Sequence, residues 1–318
     1  MDAMKALGAK PIHSGTPQQV RKGVTPKDGV LKVLKDEGKS VEPEKVAKVE
    51  DRRIDGAKGK IGARIYTPEG AGPFPVVLYF HGGGFVIADP DVYDASGRAL
   101  ANASGAMLVS VDYRRAPEHP YPASLDDAAA AFAYLQKHAA ELNGDPSRIA
   151  VAGESAGGNL AIGVALRQKK SGGMAPVFAL LVYPFVSNDL STPSHLANGQ
   201  GNYILGNDDI AWFWKYTFGK DWKQLRDPMA LPIYATADQL KGFPPSLVIT
   251  AGLDPLKDEG EKFAQMLKDA GVKVETKNYD GVTHEFFSMG AAVDQARQAE
   301  QFAGAGLRTA FGSRSAAR

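Results

Sequence analysis

Two periodicities divide the chain. In residues 1–48 the apolar positions recur at helical spacing. Thr16 and Pro17 read as the N-cap and first position of one short helix, and Val30, Leu31, Val33 and Leu34 fall on one stripe of a second. From Val46 the period becomes that of strands. "VAKVEDRRI" and "KIGARIYTP" predict an antiparallel pair joined by "DGAKG". Beyond them, apolar runs and amphipathic segments alternate. "FPVVLYF", "AMLVSVDY", "RIAVAG", "VFALLVYPF", "PSLVITAG" and "KVETKNYDG" read as strands. Helices are predicted over residues 92–105, 122–144, 156–170, 258–271 and 291–311. Strands dense in Val, Leu and Ile, alternating with helices, predict an α/β protein with a mostly parallel sheet covered on both faces.

Two segments break the alternation. One is residues 1–48, with ten Lys/Arg against six Asp/Glu. The other is residues 188–225, where "NDDIAWFWKYTFG" places Ile210, Phe213, Trp214, Thr217 and Phe218 on one helical face. Both are expected to form a small helical cap over a core built from residues 49–187 and 226–311. The plainer reading of the N-terminal helices, and of Phe213, Trp214 and Phe218 one by one, is packing against the core. Residues 312–318 carry no apolar pattern and are expected to form a disordered tail.

Composition narrows the function. With 37 basic and 36 acidic residues the net charge is +1, so nothing points to nucleic acid or an anionic membrane. Cysteine is absent, which excludes disulfides, zinc–thiolate sites and a thiol nucleophile. The opening "MDAMKALGAKPIHSG" has no apolar core of a signal peptide, so a cytoplasmic location is expected. "FALLVYPFV", the longest apolar run, is too short for a membrane span. The sequence admits a homodimer.

The chemistry gathers where strands end. Gly153-Glu154-Ser155-Ala156-Gly157 fits G-x-S-x-G between a strand and a helix, the form of a turn that presents a serine at a sheet's edge. With 35 glycines in the chain the pattern alone is weak, and its position gives it weight. A phosphate-binding turn would need G-x-x-x-x-G-K-[ST] or G-x-G-x-x-G, and "GESAGG" is neither. "YFHGGGFV" follows the first core strand. Its glycines allow backbone amides to approach an oxyanion, so Gly83 and Gly84, with Ala156 after the serine, are candidate donors. His81 is expected to brace that loop. A serine nucleophile needs a base and an orienting carboxylate. Among six histidines, His284 in "DGVTHEFF" follows the last strand. Asp254 in "TAGLDPLKDEG" follows the strand before it, while Asp258 and Glu259 fall where acids favour a helix start. The order Ser155, Asp254, His284 is that of an α/β-hydrolase.

Together HGGG, "YRRAPEHPYPA", GESAGG, "DPLKDEG" and "HEF" resemble the hormone-sensitive lipase-like family, the bacterial family IV carboxylesterases, from about Val46 to Phe311. Glu154 departs from it, since the family more often has Asp or Thr there. The resemblance implies an α/β-hydrolase fold with an eight-stranded sheet, a helical cap, no cofactor, and hydrolysis of short- to medium-chain acyl esters, a small-molecule substrate. Two alternatives accompany it. The same residues could serve an amidase or an acetyl-sugar deacetylase. A non-catalytic ligand-binding receptor on this fold is the other, and the presence of His284 speaks against it.

Overall fold

The structure, a computed structural model, describes residues 1–312. Apart from Gly312, the tail expected over residues 312–318 lies outside the described residues. Eight strands form one sheet: β1 (Lys48–Gly56), β2 (Gly59–Thr67), β3 (Phe74–Phe80), β4 (Met107–Asp112), β5 (Gly144–Glu154), β6 (Ala179–Val182), β7 (Ser246–Leu253) and β8 (Val274–Thr283). Their order is β1-β2-β4-β3-β5-β6-β7-β8. β2 runs antiparallel to β1 and β4, and every other pairing is parallel.

Around the sheet lie α1 (Asp2–Ala6), α2 (Pro17–Val20), α3 (Pro26–Asp36), α4 (Asp94–Ser104), α5 (Ala123–His138), α6 (Ala156–Ser171), α7 (Pro193–Asn198), α8 (Asn207–Phe218), α9 (Ala237–Leu240), α10 (Lys257–Asp269) and α11 (Asp294–Ala310). The strand alternation sorts them into layers. Val76, Leu78 and Phe80 of β3 join a core with Phe132 of α5, Leu160 of α6 and Phe263 of α10. Val77 and Tyr79 face the opposite core, with Leu100 of α4 and Leu307 of α11. Both faces of the middle strands are therefore buried, which is why they read as unbroken apolar runs.

Local chemistry moved several boundaries. α3 starts at Pro26, four residues before the apolar stripe that begins at Val30, because Thr25 and Asp28 cap it reciprocally. β6 stops at Val182, short of the expected Phe185, because Tyr183 turns to φ 34°. α1 buries none of its residues, so no apolar stripe announced it.

Residues 1–48 attach to the rest through specific bonds. Asp209 of α8 accepts from the His13 amide at 3.0 Å and lies 2.7 Å from His13 Nδ1. It also caps its own helix through the Gly206 amide at 3.0 Å. Trp212 donates from its indole to Gly15 O at 3.1 Å. Arg21 donates to Val86 O and Ala116 O, at 2.8 and 2.6 Å, and pairs with Glu118. Phe213 and Trp214 are buried in the core and also line a cavity shared with Ser155, so packing and lining coincide there. Phe218 packs on Phe85 and Tyr121, as the plainer reading expected.

Asp209→Ala removes the two bonds to His13 that hold the first turns of the chain to α8, and with them the cap bond from Gly206. Limited proteolysis of this variant should cut within residues 1–25 on the order of ten times faster than in the parent, with later cuts unchanged. Unchanged early cleavage would show that other contacts hold the segment.

Candidate active site

The junction of β5 and α6 is built around one strained residue. Ser155 adopts φ 56° and ψ −119°, outside the regions an L-residue prefers. Its backbone is held on two sides: the amide donates to Val182 O at 2.9 Å, and the carbonyl accepts from Phe185 N at 3.2 Å. The turn is too tight for side chains beside it. A Cβ at Gly153 would lie 2.2 Å from Gly157 C, and one at Gly157 would lie 1.9 Å from Phe80 O. Ser155 is also the N-cap of α6, where a serine ordinarily turns its hydroxyl onto the helix amides. Here the side chain makes no cap bond, and Oγ lies 2.9 Å from His284 Nε2.

The partners arrive by sheet register. Leu253 of β7 pairs with Thr283 of β8, so Asp254 and His284, the next residues, leave the sheet side by side. His284 Nδ1 lies 2.7 Å from Asp254 Oδ2, and Asp254 Oδ1 accepts from the Leu256 amide at 2.9 Å. Both residues are buried. Burial alone pushes the imidazole pKa down. The Asp254 charge and hydrogen bond, with the charges of Glu285 and Glu154, outweigh it, and the pKa is raised from the ordinary histidine value.

Phe80 pairs with Gly153, so the glycine loop after β3 emerges beside the serine turn. Gly83 and Gly84 take φ 95° and 58°. Among the described residues their amides have no backbone acceptor. Ala156 is the first residue of α6, and its amide has no intrahelical partner. All three line the cavity that contains Ser155 and His284. His81 braces the loop as expected. Its ring stacks on Tyr113 at 4.3 Å, Nδ1–H donates to Gly82 O at 2.8 Å, and burial lowers its pKa to about 3. Of the other histidines, His13 pairs with Asp209, His138 with Glu141 and His195 with Glu259, while His119 is exposed.

The cavity holds about 760 Å³. The core contributes its base. Met4, Ile12 and Val20 from the N-terminal segment, with Leu205, Phe213 and Trp214 from the insertion, supply apolar walls. Asp258 and Glu259 have their own task. Asp258 accepts from the Ser194 amide at 2.8 Å, and Glu259 accepts from the amides of Val186 and Ser187 at 2.7 and 3.1 Å. Together they anchor the first turn of α7 and the segment that leads into it. Among the described residues no group of His, Asp and Glu side chains is arranged to hold a metal ion.

Sequence reasoning missed a layer of buried acids and phenols around this site. Glu154 is buried, with its carboxylate between the hydroxyls of Tyr79, at 2.5 Å, and Tyr183. Burial, then the charge of Glu285, raises its pKa to about 7. Tyr93 donates to both carboxylate oxygens of Glu285 at 2.7 Å. In the sequence Glu154 stands out only as a departure from the family pattern, and Glu285 only by its place next to His284.

Steric fit between loop and insertion is testable. A Cβ at Gly84 would lie 2.2 Å from Phe213 Cγ. Gly84→Ala should lower kcat/KM for an activated ester at least about tenfold, through displacement of the loop amides. Adding Phe213→Ala should recover part of that loss and leave the part due to positive φ. A double variant no better than the single one would show that backbone strain alone matters.

Comparison with known proteins agrees with this fold. A family model described as alpha/beta hydrolase fold matches residues 77–288. Esterase LipI of Mycobacterium tuberculosis is 42% identical over 255 residues, 79% of this chain and 79% of its own. Carboxylesterase NlhH of the same species is 43% identical over 260 residues, again 79% of each chain. Among solved structures, an esterase of Pyrobaculum calidifontis superposes with a TM-score of 0.86 at 36% identity, over 96% of this chain and 97% of that one. A thermostable esterase of Pseudomonas putida gives 0.85 at 34% identity, over 97% and 95%. A sheet with the serine turn at its centre, together with relatives this similar over most of their length, shows that this chain belongs to the hormone-sensitive lipase-like branch of the α/β-hydrolase fold family.

Proposed function

We propose that the protein is a serine carboxylesterase acting on short- to medium-chain acyl esters, with Ser155 as nucleophile, His284 as general base and acid, and Asp254 as its orienting carboxylate. The observation that carries this reading is the hydrogen-bonded chain Asp254–His284–Ser155, at 2.7 and 2.9 Å, opening onto an apolar-walled cavity. Relatives named esterase and carboxylesterase support the ester bond as the one cleaved.

The chemistry follows from the placement of protons. With Nδ1–H donated to Asp254, neutral His284 presents the Nε2 lone pair to the serine hydroxyl. Ser155 Oγ adds to the ester carbonyl carbon while its proton passes to Nε2. The carbonyl oxygen becomes an oxyanion, held by the amides of Gly83, Gly84 and Ala156. His284 then returns the proton to the departing alkoxide, leaving an acyl-serine. Water, deprotonated by the same nitrogen, adds to that acyl group; the bond to Ser155 Oγ then breaks, His284 returns the proton to Oγ, and the acid leaves. Asp254 keeps the tautomer and balances the imidazolium that forms in each half.

Residues 1–48 and 188–225 form the cap in this reading. Their apolar side chains bound the space available to an acyl chain and exclude water from it. Among the described residues no helix is long and apolar enough to cross a membrane. The amidase and deacetylase alternatives use the same groups and are separated from this one by substrate alone.

Ser155→Ala should fold and lose about 10⁴-fold or more in kcat. A fluorophosphonate should label the parent protein at Ser155, and labelling elsewhere would refute the assignment. A p-nitrophenyl series from acetate to palmitate, beside matching anilides, should show turnover concentrated in the shorter esters. Faster anilide than ester cleavage would favour the amidase. Only neutral His284 accepts the serine proton, so kcat/KM should fall as pH drops through its pKa. Because that pKa is raised, the fall should be centred above the ordinary value of about 6.5. A midpoint well below that value would contradict the assigned base.

A further inference from the structure

Glu285 is the residue that the esterase mechanism leaves unexplained. It follows His284 directly and sits at φ 68°, a left-handed conformation that disfavours a glutamate. The buried Phe286 and Phe287 that follow it hold the chain in place. The turn carries the Glu285 carboxylate back over the site. Oε1 lies 3.8 Å from His284 Nε2, the nitrogen that faces Ser155, and the residue lines the same cavity. Its side chain is 12% exposed.

Tyr93 fixes that position. Its hydroxyl donates to both Glu285 oxygens at 2.7 Å and lies so close to the glycine loop that a Cβ at Gly82 would be 2.3 Å from it. One phenol thus ties the histidine loop to the loop with the candidate oxyanion donors. The bond also favours the charged form of Glu285, against the burial that raises its pKa.

We propose that Glu285 is a positioning residue for the base, a second carboxylate on His284 that acts at the nitrogen opposite Asp254 and is aimed there by Tyr93. The proposal rests on the esterase reading above. Asp254 orients the ring through Nδ1 and takes no part at the other nitrogen. During turnover Nε2 holds the serine proton, and the positive charge that develops there faces the Glu285 carboxylate across a space of low polarity. The same charge resists loss of the proton, so Glu285 sets the pH at which His284 becomes a competent base.

The other groups facing this pair are few. Asp254 approaches from the loop after β7, Glu154 from the end of β5, and the Tyr183 ring packs at 4.5 Å from the imidazole. Tyr93 faces Glu285 from the start of α4, and Tyr79 adds a phenol behind Glu154. Among them Glu154 is already paired with two phenols. Glu285 and Asp254 are therefore the two carboxylates placed directly against the imidazole.

Glu285→Gln keeps the shape and removes the charge. Taking a negative charge from beside His284 lowers the imidazole pKa, so the base is neutral at lower pH. The acid limb of kcat/KM for p-nitrophenyl butyrate should move down by about one pH unit. Titration of the His284 ring by NMR in Ser155→Ala, with and without Glu285→Gln, should show the same displacement without any turnover. Tyr93→Phe keeps the charge but frees it, and its acid limb should fall between those of the parent and Glu285→Gln. An acid limb and NMR midpoint that stay at the parent values in Glu285→Gln, or move up, overturn the proposal. A Tyr93→Phe limb equal to the parent's removes Tyr93 from it. Failure of a fluorophosphonate to label Ser155 in the parent would instead retire the triad, so the two failures are distinct.

Discussion

The structure depends on the passage of the chain through Ser155 at positive φ. That backbone is unfavourable for a residue with a side chain, and it persists because its surroundings leave no alternative. The amide and carbonyl of Ser155 are bonded to the segment that leaves β6, and Gly153 and Gly157 close on each other where a methyl group would not fit. The consequence is geometric. A serine at a helix N-cap would relax onto its own helix, whereas this one is turned outward toward His284. The strained turn therefore supplies both the hydroxyl's place at the cavity and its direction.

Everything that meets the hydroxyl is delivered by strand register. The pairing of Phe80 with Gly153 places the glycine loop on one side, and that of Leu253 with Thr283 places Asp254 and His284 on the other. No long loop has to be ordered to assemble the site, and the entropy of doing so is carried by the sheet. The proposed cap, residues 1–48 and 188–225, is attached differently. Its two segments, with helices of four to twelve residues, are joined to each other through Asp209 and to the core through Arg21 and the buried Phe213 and Trp214. Such short elements open locally at lower cost than a sheet core, as the proposed role of a wall that admits substrate requires.

Around His284 the protein concentrates acids that it then restrains. Asp254 is held by the Leu256 amide, Glu154 by two phenols and Glu285 by a third. Each hydrogen bond lowers the cost of burying a carboxylate near others of like charge. The imidazole inside this ring is biased toward its charged form even though burial opposes it. A histidine that gains a proton midway through the proposed reaction is well served by such surroundings.

Much of this was legible in the chain. The alternation of apolar runs and amphipathic segments determined the α/β class, because burial on both faces requires it, and the glycines flanking Ser155 marked a turn that side chains would block. Asp254 and His284 were legible because each directly follows a run with strand character. The pairings were not legible. Nothing in the sequence of β7 says that Leu253 meets Thr283, since register is fixed by packing across the sheet. The same holds for Glu259, which read as an ordinary acid at a helix start and is buried against His195 and the backbone of Val186. The clearest case is Glu285. In the sequence it is a glutamate after a histidine. Only a left-handed turn, secured by two buried phenylalanines and a tyrosine 192 residues away, brings its charge to the imidazole.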